Sequence, residues 1–158
     1  MFEIRVMNYL DAFNYVYNHS FNAAKTDMKK FSIISIQDAP VSNMGVGYKS
    51  GGNCLGALNL WFSDVTESGF EDAKERHPNW LGQLKLISDS DANKIKEFMD
   101  NLNKDTDILI VHCRAGQSRS AGVAAALSKI YFGDDSYYFN NSKYTVNMTV
   151  YYKVLKAF

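Results

Sequence analysis

Two residues in the stretch ILIVHCRAGQSRSAGVAAAL (108–127) have the types and the spacing to do chemistry. Cys113 closes an apolar run ending in His112, and Arg119 follows six positions later, where a helix of small residues begins. A strand–loop–helix unit leaves several backbone N–H groups unpaired at the helix start, and the helix dipole adds partial positive charge there. With Gly116 in the loop, successive N–H groups of Arg114, Ala115, Gly116, Gln117 and Ser118 can curl inward as a nest for an anion. Arg119 at the lip offers a planar fork for two phosphate oxygens. The same positive field favours a thiolate, so Cys113 should ionise well below the free thiol value of about 8.5. One arrangement thus binds a tetrahedral dianion and activates the sulfur beneath it. In-line attack of Cys113 on phosphorus is the natural chemistry, with Arg119 and the loop amides holding the equatorial oxygens. The structural alternatives are a buried cysteine for Cys113, a satisfied strand-end histidine for His112 and a helix-cap residue for Ser120.

The elements that must position these residues follow from periodicity. FEIRVM (2–7) alternates as a short strand, and YLDAFNYVYN (9–18) has helical spacing at Leu10, Phe13 and Tyr17. FSIISI (31–36) is a β-branched strand that ends at QDAP, and LGALNLWF (55–62) is a further strand. Between them VSNMGVGYKSGGN (41–53) is the clearest loop. Residues 63–80 are polar and punctuated by Gly69 and Pro78, which predicts a loop with a short helical piece. A helix over 88–104, a buried strand over 107–113, a small-residue helix over 119–132 and a closing helix over 142–158 complete the pattern. Strands alternating with helices predict an α/β fold, a mainly parallel central sheet flanked by helices.

At 158 residues the chain suits one domain, with no repeat, low-complexity tract or linker to divide it. Seventeen basic and seventeen acidic residues balance, so no nucleic-acid partner and no polybasic membrane anchor are expected. Two cysteines, Cys54 and Cys113, are too few for a secreted disulfide scaffold and read as free thiols. With only His19, His77 and His112 besides, no metal site and no cofactor are expected. The N-terminus lacks a basic segment before an apolar core, and no apolar run reaches the roughly 20 residues of a membrane span. A cytoplasmic location is expected. Oligomeric state is not legible in the sequence.

The run HCRAGQSRS (112–120) resembles the Cys-x5-Arg signature of the protein tyrosine phosphatase superfamily, in the His-Cys-x-x-Gly-x-x-Arg-Ser form common in dual-specificity phosphatases. The resemblance covers residues 31–37, 55–65 and 88–132, and elsewhere only the general layout matches. It implies a protein tyrosine phosphatase-like fold of the dual-specificity type. It also implies a metal-independent hydrolase that forms a cysteinyl-phosphate intermediate, with a phosphorylated protein as substrate. Cys113 would be the nucleophile and Arg119 the phosphate ligand. Ser120 would donate its hydroxyl to the departing sulfur, and His112 would hydrogen-bond within the loop and hold its shape.

A leaving phenolate or alkoxide needs a proton, so an Asp should hang over the pocket. The family places it upstream, at the end of another strand. LNLWFSDVTESG (58–69) fits, and its Phe-x-Asp form resembles microbial and phage-type dual-specificity enzymes, which singles out Asp64. Forty-nine residues separate Asp64 from Cys113, with ESGFEDAKERHPNWLG as a surface excursion between them. Rivals are Asp72, Asp89 and Asp91. Asp89 and Asp91 read as helix caps, and Asp72 as part of a solvated face.

Pocket depth decides between phosphotyrosine alone and phosphoserine or phosphothreonine as well. The loop over 42–53 and Trp61 are candidates for its rim. Phosphoinositide and RNA 5′-phosphate phosphatases share the scaffold, as does a phospho-binding pseudophosphatase. Arg114 is the one extra loop cation. A Cys–His hydrolase using His112 as base is disfavoured, because adjacent strand residues point to opposite faces. Cys54 is a conceivable resolving thiol for an oxidised Cys113.

Overall fold

A computed structural model describes residues 1–20, 28–40 and 47–158 of the chain. Four strands form one parallel sheet: β1 (Glu3–Met7), β2 (Phe31–Gln37), β3 (Cys54–Trp61) and β4 (Ile108–His112), in the order β1-β4-β2-β3. Helix α1 (Tyr9–His19) lies on one face. Helices α3 (Asp89–Asp100), α4 (Arg119–Phe132) and α6 (Met148–Ala157) lie on the other.

The alternation of β4 explains how the site is aimed. Leu109, Val111 and Cys113 join the larger core with Ile34, Ile36, Phe62 and α4. Ile108 and Ile110 join the smaller cluster under α1 with Phe31, Ile33 and Tyr48. His112 continues that second row, so His112 and Cys113 face opposite sides, as the period of two requires. Every residue of β2 and of β4 is buried, which is why both read as continuous apolar runs.

Helix α4 can press against the sheet and α6 because its buried face is Ala-rich. A Cβ at Gly122 would lie 2.9 Å from the Asn147 carbonyl oxygen and 3.0 Å from Val150. Its end at Gly133, in the left-handed conformation, follows the usual C-terminal stop.

Three expectations need correction. Residues 63–80 hold a ten-residue helix, α2 (Glu67–Arg76), followed by a 3₁₀ turn (Pro78–Trp80). The excursion after Asp64 is therefore mostly ordered helix. The closing helix starts at Met148 and not at 142, because Asn147 caps it by accepting from the Val150 N–H at 3.1 Å. Between α4 and α6 lies a short helix, α5 (Ser136–Asn140), that the sequence pattern did not indicate. The expected loop at 41–53 falls partly outside the described residues, over 41–46. Cys54 is the first residue of β3, and by register it lies level with Ile108. Cys113 lies five residues further on, roughly 16 Å along the sheet, so Cys54 is no resolving partner for it.

Candidate active site

The segment between β4 and α4 passes beside the end of β1. Met7 pairs with His112, and the Tyr9 N–H donates to the Arg114 carbonyl at 3.1 Å. Gly116 has φ +67, and a Cβ there would stand 2.6 Å from Met7 C and Asn8 N. Only glycine fits both the left-handed turn and the close approach. Edge strand β1 and the cap of α1 thus form the floor against which the loop is moulded.

Cys113 ends on this loop with its sulfur 3.1 Å from Ser120 Oγ. Burial alone pushes the thiol up. The Ser120 hydroxyl, the Ser120 N–H, the Arg119 charge and the Gly116 N–H outweigh it, and the net direction is below the ordinary thiol value. Ser118, at the N-cap of α4, makes no capping bond with its side chain; its hydroxyl donates instead to Asp64 Oδ1 at 2.7 Å. The first-turn amides of α4 therefore receive no cap from the Ser118 side chain, and the Ser120 N–H is directed at the Cys113 sulfur.

Arg119 is buried. Its Nη1 donates to the Phe62 carbonyl at 2.9 Å and pairs with Asp38 Oδ1 at 2.7 Å, while its Nε has no partner among the described residues. Arg114, the exposed loop cation, stands 3.7 Å from the other Asp38 oxygen. A cavity of about 350 Å³ is lined by Cys113, Asp64, Arg119, Ser118 and Thr145, among others. The structure therefore brings Asp64 to the cysteine loop from 49 residues upstream in the chain.

Asp64 is held from two sides. Besides Ser118, the Asn147 Nδ2 donates to the same oxygen, Oδ1, at 2.9 Å, and to the Val65 carbonyl at 3.3 Å. Asn147 also takes the Val150 N–H on its Oδ1, and its own N–H donates to the Ser118 carbonyl. One residue, through its side chain and its backbone N–H, thus ties the Asp64 segment, the cysteine loop and α6 together. The rival carboxylates lie elsewhere. Asp72 pairs with Arg76 on an exposed face, and Asp89 pairs with Lys153. Asp91 completes a capping box with Ser88 and binds Lys85.

His112 faces away from the sulfur. Its Nε2 meets Ser35 Oγ at 2.8 Å, and Gln37 Nε2 donates to the same hydroxyl at 3.1 Å. Its Nδ1 lies 3.3 Å from the Cys113 carbonyl. Burial pushes the imidazole down to about 4, and the nearby Arg119 charge acts in the same direction against the Cys113 carbonyl bond. The ring is neutral at physiological pH. Nδ1 carries the proton toward the carbonyl, and Ser35 donates to Nε2.

Sequence reasoning missed Asp38, Asn147, Ser35 and Tyr48. Asp38 had a signal: it stands at the C-terminal end of a strand, as Asp64 does. Asn147 had one too, as a cap residue ahead of MTVYYKVLKA. Trp61, expected at the rim, sits at the end of β3 with the Lys85 ammonium 4.9 Å over its ring. Among the described residues no group of three or more His, Cys, Asp and Glu could hold a metal ion, and no helix is long and apolar enough to cross a membrane.

The architecture is that of the tyrosine phosphatase-like and dual-specificity-phosphatase-like α/β proteins, a parallel sheet with helices on both faces. The chain is similar in structure to the human tyrosine phosphatase-like serine/threonine/tyrosine-interacting protein, with a TM-score of 0.57, 19% identity, and coverage of 97% of this chain and 89% of that one. It is also similar to the PTP-2 phosphatase of Cydia pomonella, with a TM-score of 0.51, 15% identity, and coverage of 98% and 84%. At these identities the likeness defines the fold alone. No protein-family model and no curated protein matches the sequence.

Proposed function

We propose that residues 1–158 form one phosphatase domain that hydrolyses phosphomonoesters on proteins through a cysteinyl-phosphate intermediate. Phosphotyrosine is the first substrate, and phosphoserine and phosphothreonine are included if the pocket is shallow enough. The observation that carries this reading is the pairing of an acidified thiol with a buried guanidinium. Cys113 Sγ lies 3.1 Å from Ser120 Oγ, and the Nε of Arg119, which lines the same cavity, has no partner among the described residues. A buried donor without an acceptor is uncommon, and a phosphate oxygen would satisfy it.

In this scheme the Cys113 thiolate attacks phosphorus, the S–P bond forms, and the ester P–O bond breaks in line with it. Asp64 gives its proton to the departing oxygen. Among the described residues both of its hydrogen bonds fall on Oδ1, which leaves Oδ2 to carry that proton. Asp64, now ionised, takes a proton from water as water attacks phosphorus. The sulfur leaves as thiolate, eased by the Ser120 hydroxyl, and inorganic phosphate is released. Arg119 and the amides of 114–119 stabilise the equatorial oxygens in both steps. His112 stays neutral and acts on loop shape rather than as base. The comparison with the human protein named tyrosine phosphatase-like keeps a binding-only role in view. The presence of Cys113, Arg119 and Asp64 around one cavity, with Ser120 bonded to the sulfur beneath it, supports turnover instead. Two free thiols, one of them the nucleophile, suit a reducing cytoplasm.

The test is turnover of para-nitrophenyl phosphate without added metal. Cys113→Ser is expected to abolish turnover and retain binding of a non-hydrolysable phosphonate. Asp64→Ala is expected to slow substrates with poor leaving groups most and to remove the basic limb of the pH profile. Turnover that requires a divalent cation, or survives in Cys113→Ser, would overturn the scheme. An intact basic limb in Asp64→Ala would place the acid elsewhere.

A further inference from the structure

On its Asp38 side, Cys113 borders a second cavity, of about 510 Å³, whose wall includes Tyr9, Ile36, Ala39 and Tyr48. Tyr48 is only 7% exposed, yet its hydroxyl has no hydrogen-bond partner among the described residues. The residue is firmly placed: Asn59 holds its N–H at 3.0 Å and its carbonyl at 2.9 Å, and its ring packs edge-on against His112. Burial raises the phenol to about 12, so it remains a donor at physiological pH. A buried donor at a cavity wall calls for an acceptor from a ligand.

The same cavity is bordered by the first residue of α1. Tyr9 lines it, and along the outer face of that helix Tyr9, Leu10, Phe13 and Tyr17 are 48%, 58%, 43% and 78% exposed. Phe13 and Tyr17 stack on each other with centroids 6.3 Å apart. Positions 9, 13 and 17 share one face and span about 12 Å of helix axis. A contiguous exposed aromatic face of this kind marks a contact surface. Helix α1 carries no Lys or Arg, so it lacks the cations by which an amphipathic helix holds anionic lipid.

We infer that this cavity and the exposed face of α1 form one substrate groove, which takes an extended polypeptide bearing apolar residues near its phosphorylated residue. The inference rests on the phosphatase reading above. With phosphate on the cysteine loop, the Tyr48 hydroxyl donates to a main-chain carbonyl of the peptide, since an extended strand brings unpaired carbonyls with it. At about 3.3 Å per residue, the 12 Å of α1 corresponds to roughly four residues. The apolar contacts therefore fall some three to five positions from the phosphorylated one.

The test compares kcat/KM for peptides that share one phosphotyrosine. One carries Leu and Phe three to five positions N-terminal to it, one carries them C-terminal, and one carries Ser there. Para-nitrophenyl phosphate serves as the control. One apolar peptide is expected to exceed the Ser peptide by about 10-fold, the scale of an anchoring aromatic contact. The Phe13→Ser/Tyr17→Ser variant is expected to lose that preference, with the small substrate unchanged. Tyr48→Phe, which deletes an oxygen with no partner among the described residues, is expected to lower kcat/KM for all three peptides several-fold. Absence of preference in the wild type, or its persistence in the double variant, would overturn the groove. So would a dimer that the double variant dissociates, or binding of α1 to phosphatidylserine vesicles. If the wild type fails to turn over para-nitrophenyl phosphate, the phosphatase reading falls, and anisotropy with the same labelled peptides then decides the groove independently.

Discussion

Asn147 offers a perturbation in which stability and activity can be separated. Its Oδ1 caps α6 through the Val150 N–H, and its Nδ2 donates to Asp64 Oδ1 and the Val65 carbonyl. Asn147→Ser keeps a capping oxygen but is too short to reach Asp64. Asn147→Ala loses both. Loss of a good N-cap costs about 1 kcal/mol, so the Ala variant should be about that much less stable than the Ser variant in urea denaturation. Both variants lose the same bond to the proposed acid. A hydrogen bond to a charged group is worth about 1.5–3 kcal/mol, equivalent to roughly 10- to 150-fold in rate if fully expressed in the transition state. The Ser118 bond to the same oxygen remains, which puts the expectation at the lower end, about 10-fold in kcat. The loss should grow as the leaving group of an aryl phosphate becomes poorer, because only then does the proton from Asp64 decide the rate. Equal rates in the two variants, with unequal stability, are the signature. A Ser variant as active as the wild type on poor leaving groups would refute the reasoning. So would an Ala variant whose further loss of activity tracks its loss of stability.

Gly116→Ala is expected to cost about 2–5 kcal/mol. That sums roughly 1–2 for a left-handed L-residue and 1–3 for overpacking against the Met7–Asn8 backbone. Activity should fall with it, as urea titration and para-nitrophenyl phosphate turnover on the same samples would show. Ser120→Ala removes the largest of the effects that lower the Cys113 thiol, so its ionisation should move up toward the ordinary value. Because the thiolate is the reactive form, alkylation by iodoacetate at mildly acidic pH should slow, and the acidic limb of kcat/KM should shift to higher pH. An alkylation profile unchanged from the wild type would mean that the hydroxyl does not hold the sulfur.

How far the sequence speaks depends on how local each feature is. The unit from β4 through α4 was legible nearly to the residue, because a continuous apolar run, a glycine loop and an Ala-rich helix are all local patterns. Helix α2 was not. ESGFEDAKER has only Phe70 and Ala73 as apolar residues, so no 3.6-residue stripe announces it. It is supported instead by the Thr66 cap, the Glu71–Lys74 pair and the Asp72–Arg76 pair, features that a polar loop could equally carry. The late start of α6 was hidden for a related reason. YTV before Asn147 looks as apolar as the helix after it, and only the cap marks the boundary.

The placement of the proposed acid was beyond local pattern altogether. Ser118 meets Asp64 across 54 positions, and Asn147 meets it across 83. Resemblance pointed to Asp64, whereas periodicity could not distinguish it from Asp38, which also stands at a strand's C-terminal end. The geometry separates the two by partner. Asp38 binds Arg119 at 2.7 Å with Arg114 close by, which makes it the counter-ion of the guanidinium when no phosphate is there. Among the described residues Asp64 bonds neutral donors alone, both to one oxygen, and it lines the same cavity as Cys113. A proton donor needs a carboxyl that is positioned without being consumed by an ion pair. Asp64 meets that condition and Asp38 does not, so under the proposed mechanism two carboxylates at matching places in the sequence would take different parts in one site.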